Sequence, residues 1–312
     1  MTENAGLKNV TGRIMKGIAG CFYVKPDNAP MTEPYYECKA KGIFRKYGQK
    51  PLIGDQVLMD ILDPEDRTGI VTTILPRKSE LIRPAVANVD QVLLVFALKD
   101  PDPNRGLIDR FLMNMERQNV PVIMALNKCD LNADREKADL IRTYSDLAGY
   151  DLVPISVREK EGIEPLCRLL DHKTTVFAGP SGVGKSSLVN FLQPDAGMEI
   201  GEISRKIRRG KNTTRHSEII SCGEQCAPDS FLIDTPGFSS VSLDQLELTD
   251  LELCFPEFVP HLGKCRFAGC AHIGERAEDC PVKKMVLEGK MSSSRYENYR
   301  LFYQEIKDRP KY

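Results

Sequence analysis

The sequence predicts a three-part chain: an N-terminal OB-type β-barrel over 1–82, a central doubly wound α/β domain over 83–242, and a mostly helical C-terminal segment over 243–312. Three observations carry this reading. Short apolar and β-branched runs broken by turn residues fill the first eighty or so positions, which is the pattern of a small antiparallel barrel. Apolar strand-like runs then alternate with helical periodicity, as in a parallel sheet covered by helices. Finally, three cysteines and a histidine crowd into 265–280.

Composition narrows the class further. The chain has 312 residues, 28% of them charged, with a formal net charge of −1. A nucleic-acid contact must therefore come from a local patch rather than from the whole surface. No basic, apolar leader opens the chain and no run of about 18 apolar residues occurs, so a cytoplasmic protein without a membrane partner is expected. Ten cysteines in such a chain read as reduced thiols plus a metal site rather than as a disulfide framework.

In the first part, Gly12–Val24, Tyr35–Phe44, Gln56–Leu62 and Gly69–Leu75 are the predicted strands, parted by Pro26-Asp27-Asn28, Gly48-Gln49-Lys50-Pro51 and Asp63-Pro64-Glu65-Asp66. Lys39, Lys41, Arg45, Lys46 and Lys50 offer a cationic face to RNA, and a solvated barrel face is the plainer alternative. A linker, 83–88, leads into the apolar run Gln91–Leu98, suited to a strand buried on both faces. Leu107, Ile108, Phe111, Leu112 and Met115 follow at helical spacing, and a second apolar run, Val120–Leu126, ends at Asn127-Lys128-Cys129-Asp130.

That N-K-x-D stands at a strand's C-terminal end, where such sheets bind ligands. A carboxylate there accepts N1–H and N2–H₂ of guanine, whereas adenine would leave it unpaired. Asp130 is thus the expected base selector, with Asn127 and Lys128 beside it. The next strand end, Asp151–Ser156, brings Ser156 toward the purine edge, and Ile163, Leu166, Leu169 and Leu170 mark the following helix.

The strand-like run Thr174–Ala178 then opens onto Gly179-Pro180-Ser181-Gly182-Val183-Gly184-Lys185-Ser186-Ser187, a G-x-x-x-x-G-K-S loop. Its glycines let backbone N–H groups of Ser181, Gly182, Val183, Gly184 and their neighbours close around phosphates. Lys185 adds a point charge, the Ser186 hydroxyl can bind Mg²⁺, Ser187 lies at the helix start, and Leu188, Val189 and Leu192 make the helix amphipathic. Downstream lies a cation-rich stretch, 204–216, containing Thr213 and Thr214, where a Mg²⁺-sensing switch belongs. Ser230–Gly237 then gives an apolar strand ending in D-x-x-G: Asp234 to hold Mg²⁺ through water, Gly237 to meet a γ-phosphate.

Three phosphate and base motifs at strand ends define a GTPase, but their order is rotated. N-K-x-D precedes the phosphate loop instead of following D-x-x-G. Cutting a doubly wound sheet in one surface loop and joining its old ends keeps every strand in place, so the chain reads as a circularly permuted GTPase. The C-terminal segment then follows directly on the switch motif. Its Cys265-x4-Cys270-x-His272-x7-Cys280 supplies three thiolates and an imidazole for one structural zinc, which so short a segment is expected to need in place of a large core. His261 is a substitute ligand if His272 faces away. Cys222 and Cys226 are expected to be ordinary thiols. Ser294-x-x-Glu297 reads as a capping box for a helix whose Tyr296, Tyr299, Tyr303 and Ile306 stripe faces a core.

On these residues the chain resembles the bacterial ribosome small-subunit-dependent GTPase A (RsgA) family, over nearly its whole length. Asn88-Val89-Asp90-Gln91, Asp109-Arg110-Phe111-Leu112, Asp234 to Ser240 and Phe255-Pro256-Glu257-Phe258 support the resemblance. It implies a factor that binds the 30S subunit and its 16S rRNA late in maturation, hydrolyses GTP to GDP when stimulated by that subunit, and leaves. A monomer is expected. Two departures stand out. The family carries His before the switch Thr pair, thought to position the attacking water, where this chain has Asn212; and Phe238 replaces the Gln found after D-x-x-G in many GTPases. Asn212 can hydrogen-bond water but cannot act as acid or base, and His216 is the nearby substitute. The x7 spacing before Cys280 is two residues longer than usual. With neither usual water-positioning side chain present, a GTP-binding RNA-associated scaffold with little turnover is the alternative, and a metabolic P-loop kinase is disfavoured by Asp130.

Overall fold

The computed structural model describes residues 7–42, 44, 48–82, 84–131, 133–194, 218–234 (for Asp234 its backbone) and 246–309. Two compact units make up the chain. One comprises Met1–Val92, Cys167–Ala178 and Ser186–Phe238, the other Leu93–Leu166, Gly179–Lys185 and Ser239–Tyr312.

In the first unit, β1 (Val10–Ile18), β2 (Cys21–Pro26), β3 (Tyr36–Ala40), β4 (Gln56–Asp63) and β5 (Thr68–Ile74) form a barrel. β1 pairs with β2, β2 with β3, β3 in parallel with β5, β5 with β4, and β4 back with β1, which leaves no open edge. Ile14, Val24, Cys38, Val57, Met59, Ile61 and Val71 fill it. Lys39 and Lys41, by contrast, are exposed. The predicted strand Gly12–Val24 is in fact a hairpin. Ala19 and Gly20 take φ of +50° and +87°, so Ile18 pairs directly with Cys21. Both turn residues have positive φ, the geometry that joins twisted strands in two residues. Gly12 permits the tightest approach in the barrel, since a Cβ there would lie 2.6 Å from the Lys25 carbonyl oxygen.

A short hairpin, β6 (Glu80–Leu81) with β7 (Val86–Ala87), follows the barrel. Arg77 locks the junction with Nε and Nη2 to Asp55 at 2.7 and 2.8 Å, the carboxylate itself being fully buried. The same unit holds β11 (Thr174–Ala178), β12 (Glu218–Ser221) and β13 (Phe231–Asp234). β11 and β13 are parallel, β12 runs antiparallel to β13, and β1 of the barrel pairs with β12.

The second unit contains most of β8 (Gln91–Ala97), buried at every position as its unbroken apolar run requires, with β9 (Val122–Asn127) parallel to β10 (Asp151–Pro154). Helix α1 (Arg105–Arg117) starts where the Asn104 side chain accepts from Leu107 N, and it buries Ile108, Phe111, Leu112 and Met115 as its periodicity predicts, together with Met113 and Asp109. Helix α2 (Asp134–Ile141) follows in this unit; α3 (Ile163–Leu170) passes into the first unit at Cys167, and α4 (Lys185–Leu192) belongs to the first unit from Ser186 on.

The C-terminal part carries α5 (Leu248–Leu251), α6 (Pro281–Leu287) and α7 (Ser293–Lys307). Leu251, Phe255, Phe258, Val282, Met291, Tyr296, Tyr299 and Phe302 pack together, and Met113 of α1 joins them. Borrowing a helix from the α/β domain supplies the apolar surface that the segment lacks by itself. The cap of α7 is Ser292, whose Oγ accepts from Arg295 N, two residues before the predicted Ser294. Starting there brings Arg295 inside. Its guanidinium is 1% exposed and bonds Asp109 at 2.6 Å and Glu257 at 2.5 and 3.1 Å, with the Phe255 ring 5.1 Å away. Burial works against that charge, but Asp109 and Glu257 more than offset it and hold Arg295 protonated. Among the described residues no helix is long and apolar enough to cross a membrane.

Candidate guanine-nucleotide site and Cys/His centre

The phosphate loop is shaped by what its glycines touch. Gly179, Gly182 and Gly184 all have positive φ, and at two of them a side chain has no room. A Cβ on Gly179 would sit 2.0 Å from the Val95 carbonyl oxygen of β8, and one on Gly184 would sit 2.3 Å from Asn127 Nδ2. Lys185 Nζ folds back on the carbonyls of Gly179 and Pro180 at 2.8 and 2.5 Å, which satisfies the ammonium where a phosphate is expected. Ser181 and Gly182 are exposed, Val183 is buried, and Ser186 and Ser187 are half-buried at the start of α4.

Asn127 ties this loop to the base-reading loops. Its Nδ2 donates to Val183 O at 2.8 Å, and its Oδ1 accepts from Val157 N at 3.3 Å. The side chain is 3% exposed and has both ends occupied by protein. In this geometry it clamps the two loops to each other. Asp130 is half-buried, and its Oδ1 accepts from the buried Ser156 Oγ at 2.7 Å, while Ser156 Oγ in turn takes the Glu159 N–H at 3.1 Å. One carboxylate oxygen is therefore fixed by Ser156. Lys128, at φ +63°, sends its ammonium to the Asp100 carbonyl. The structure thus brings Asn127, Lys128, Asp130, Ser156 and residues 179–185 together in one unit. Asp234 ends β13, as the D-x-x-G reading requires. Asn212, Thr213, Thr214, His216 and Gly237 lie outside the described residues.

The Cys/His centre is built from sixteen consecutive positions. The ligand atoms of Cys265, Cys270, His272 and Cys280 lie within 4.8 Å of one another. His272 Nδ1 stands 3.5, 3.5 and 3.3 Å from the sulfurs of Cys265, Cys270 and Cys280, and Cys265 Sγ stands 3.8 Å from Cys280 Sγ. A tetrahedral ion with M–S near 2.3 Å and M–N near 2.0–2.1 Å sets ligand-to-ligand edges of roughly 3.5–3.8 Å, so the donor set fits zinc. His272 reaches this position at φ +57°. Its other nitrogen, Nε2, is 3.1 Å from Glu252 Oε2, an outer partner that fixes the ring and leaves Nδ1 for the metal. Tyr296 and Tyr299 donate to the His272 and Ala271 carbonyls at 2.7 and 2.9 Å. Burial pushes the Cys270 and Cys265 thiols up, so a cation at the centre would be needed to make them thiolates. His272 faces inward, and the group does not include His261. The sequence reading missed Glu252 and the Arg295 triad. A Glu in the helical turn before Phe255 and the Asp109 and Glu257 stretches were the available signals.

A permuted phosphate loop, an N-K-x-D clamp and a barrel in front of them define a circularly permuted P-loop GTPase. Two family models match the chain: the RsgA N-terminal domain over residues 11–71 and the RsgA GTPase over 74–244. A protein of Agathobacter rectalis named small ribosomal subunit biogenesis GTPase RsgA is 50% identical over 309 residues, covering 97% of this chain and all of its own. Its namesake in Alkaliphilus metalliredigens is 43% identical over 301 residues, covering 96% of this chain and 99% of its own. Among solved structures, YjeQ from Thermotoga maritima matches with a TM-score of 0.80 at 32% identity, over 97% of this chain and 100% of that one. YloQ, described as a circularly permuted GTPase, matches with a TM-score of 0.77 at 33% identity over 100% of both chains. The chain belongs to the RsgA GTPase family.

Proposed function

We propose that the chain binds Mg·GTP in the 179–187 loop, reads guanine through Asp130, and uses hydrolysis to time its departure from the small ribosomal subunit during late maturation. The carrying observation is the Asn127 clamp, which holds Val183 of the phosphate loop and Val157 beside Ser156 in one frame. The names of the relatives at 50% and 43% identity support the subunit as partner. In this reading 16S rRNA meets the barrel cations and the 205–215 cations, and the chain works as a cytoplasmic monomer. In the same reading the chain divides into three domains at 82/83 and 242/243.

Ser186, Thr214 and Asp234 hold the substrate's Mg²⁺, and Gly237 N–H meets the γ-phosphate. Cys265, Cys270, His272 and Cys280 hold one structural zinc, whose coordination fixes the loop on which the C-terminal module folds. Asn212, with His216 in reserve, positions the attacking water. Since an amide cannot act as a base, turnover is slow until the subunit contributes. Family membership favours turnover over the scaffold reading.

Single-turnover GTP hydrolysis with and without 30S subunits tests this directly. The wild type is expected to be slow alone and strongly stimulated, Asn212→His faster alone, and His216→Ala weaker in the stimulated state. An unstimulated wild-type rate equal to that of Asn212→His would contradict it. Co-sedimentation with 30S and 50S subunits should show binding to 30S with a non-hydrolysable GTP analogue, release with GDP, and loss of binding as salt rises.

A further inference from the structure

The barrel sheet joins the nucleotide-side strands at one register position among the described residues. β1 and β12 are in register at a single point, Lys16 opposite Glu218, and Lys16 Nζ lies 2.8 Å from Glu218 Oε2. β12 in turn pairs with β13 so that Glu218 is in register with Asp234, the last residue of that strand. One cross-strand line therefore runs from Asp234 through Glu218 to Lys16, and on to Tyr23 and Glu37 of the barrel. Directly opposed residues of an antiparallel pair share a face of the sheet, and like charges placed there repel.

β12 thus sets an acid beside the residue that ends the D-x-x-G strand, and the barrel supplies the cation that answers it. As a stabilising contact the pair counts for little, because both side chains are partly exposed. Its position gives it a second consequence. Barrel residue Arg13 already anchors the starts of the neighbouring strands: Nη2 donates to Thr174 Oγ1 at 2.8 Å, and the guanidinium lies 5.2 Å from the Phe231 ring centre. Attachment does not need Lys16 as well. What Lys16 adds is charge at the other end of β13, where Tyr35 is also close enough to feel both Glu218 and Lys16.

We propose that Lys16 is a positioning residue for Mg·GTP: by neutralising Glu218 it sets the negative charge next to Asp234 and hence how tightly the substrate's Mg²⁺ is held. The proposal rests on reading Asp234 as the Mg²⁺ acid. Freed of Lys16, Glu218 adds its charge to that of Asp234 and strengthens attraction for the cation. With Glu218 made neutral, Lys16 stands as an unanswered positive charge and weakens that attraction.

The test is release of a fluorescent GDP from the full chain across buffered free Mg²⁺ concentrations. Lys16→Met is expected to lower the half-maximal Mg²⁺ by about 3–10-fold, the range of one unit charge at the neighbouring cross-strand position in a largely aqueous setting. Glu218→Gln should raise the midpoint by a similar factor, Lys16→Met in that background should return it to the wild-type value, and Lys16→Arg should behave as wild type. A merely structural role would move the melting temperature and leave the Mg²⁺ midpoint in place. Asp234→Asn serves as the reference and should raise the midpoint. If Asp234→Asn leaves it unmoved, the reading of Asp234 falls and takes this proposal with it. If Asp234→Asn moves it but Lys16→Met does not, or if Glu218→Gln lowers it as Lys16→Met does, the proposal alone is overturned.

Discussion

The phosphate loop and the Cys/His centre are both short loops that aim polar atoms at a common point, yet they are held in opposite ways. In the phosphate loop the shape comes from outside. Gly179 is pressed against Val95 of β8 and Gly184 against Asn127 of β9, and Asn127 fastens Val183 to Val157. The Cys/His centre is local, with its four donors inside sixteen positions, and it sits on a core that runs from Leu251 to Ile306 and borrows Met113. The lesson is that the first should exist without its ligand, whereas the second depends on its ion to settle three thiols at one point. Damage to the phosphate loop should cost affinity and spare the fold. Damage at the centre should do the reverse.

The largest expected effect comes from breaking the centre. Cys270→Ser, or a strong chelator, should release one zinc per chain and destabilise the C-terminal module by several kcal/mol, a fraction of the ~10–16 kcal/mol seen when folding depends wholly on the metal. Metal analysis and thermal unfolding would measure this, with GDP affinity largely preserved at temperatures below the new transition. Full retention of module stability after metal loss would mean that the apolar core suffices.

Next in size is Arg295→Ala. It leaves Asp109 and Glu257 buried without their cation and should cost about 3–5 kcal/mol in urea unfolding, while metal content stays at one per chain. That result would separate the share of module stability owed to docking on α1 from the share owed to the ion. Smaller in stability but larger in function is Gly184→Ala. Its Cβ must displace Asn127 Nδ2 from 2.3 Å at φ +96°. A strain of about 1–3 kcal/mol in the bound loop corresponds to a GDP affinity roughly 5–150-fold weaker, with the melting temperature nearly unchanged. A large fall in melting temperature instead would erase the contrast between the two loops.

How much of this could be read from the residues follows the same division. Local chemistry was legible: G-x-x-x-x-G-K-S, N-K-x-D and C-x4-C-x-H announce themselves because adjacent residues do the work. The barrel was legible as a set of strands, but the Ala19-Gly20 turn was not, because it lacks the Asn-Gly or Asp-Gly signal of a two-residue hairpin. The cap at Ser292 was hidden by a second serine two places on, and with it went the fact that Arg295 is inside. Long-range pairings left no local trace. Nothing near Asn127 in the chain says that its amide must reach Val183, nothing near Lys16 points to Glu218, and only packing shows that Met113 belongs to the C-terminal core. The residues expected to position water, Asn212 and His216, rest on sequence alone.

The central claim is that Asp130, oriented by Ser156, makes this a guanine site. The most direct test is competition of GDP and xanthosine diphosphate for the wild type and for Asp130→Asn. The account predicts that the wild type prefers GDP by several orders of magnitude, because a buried acceptor left unpaired is the penalty that such sites exploit, and that Asp130→Asn reverses the preference toward the xanthine nucleotide. Equal binding of both nucleotides by the wild type, or an unchanged preference in Asp130→Asn, would contradict it.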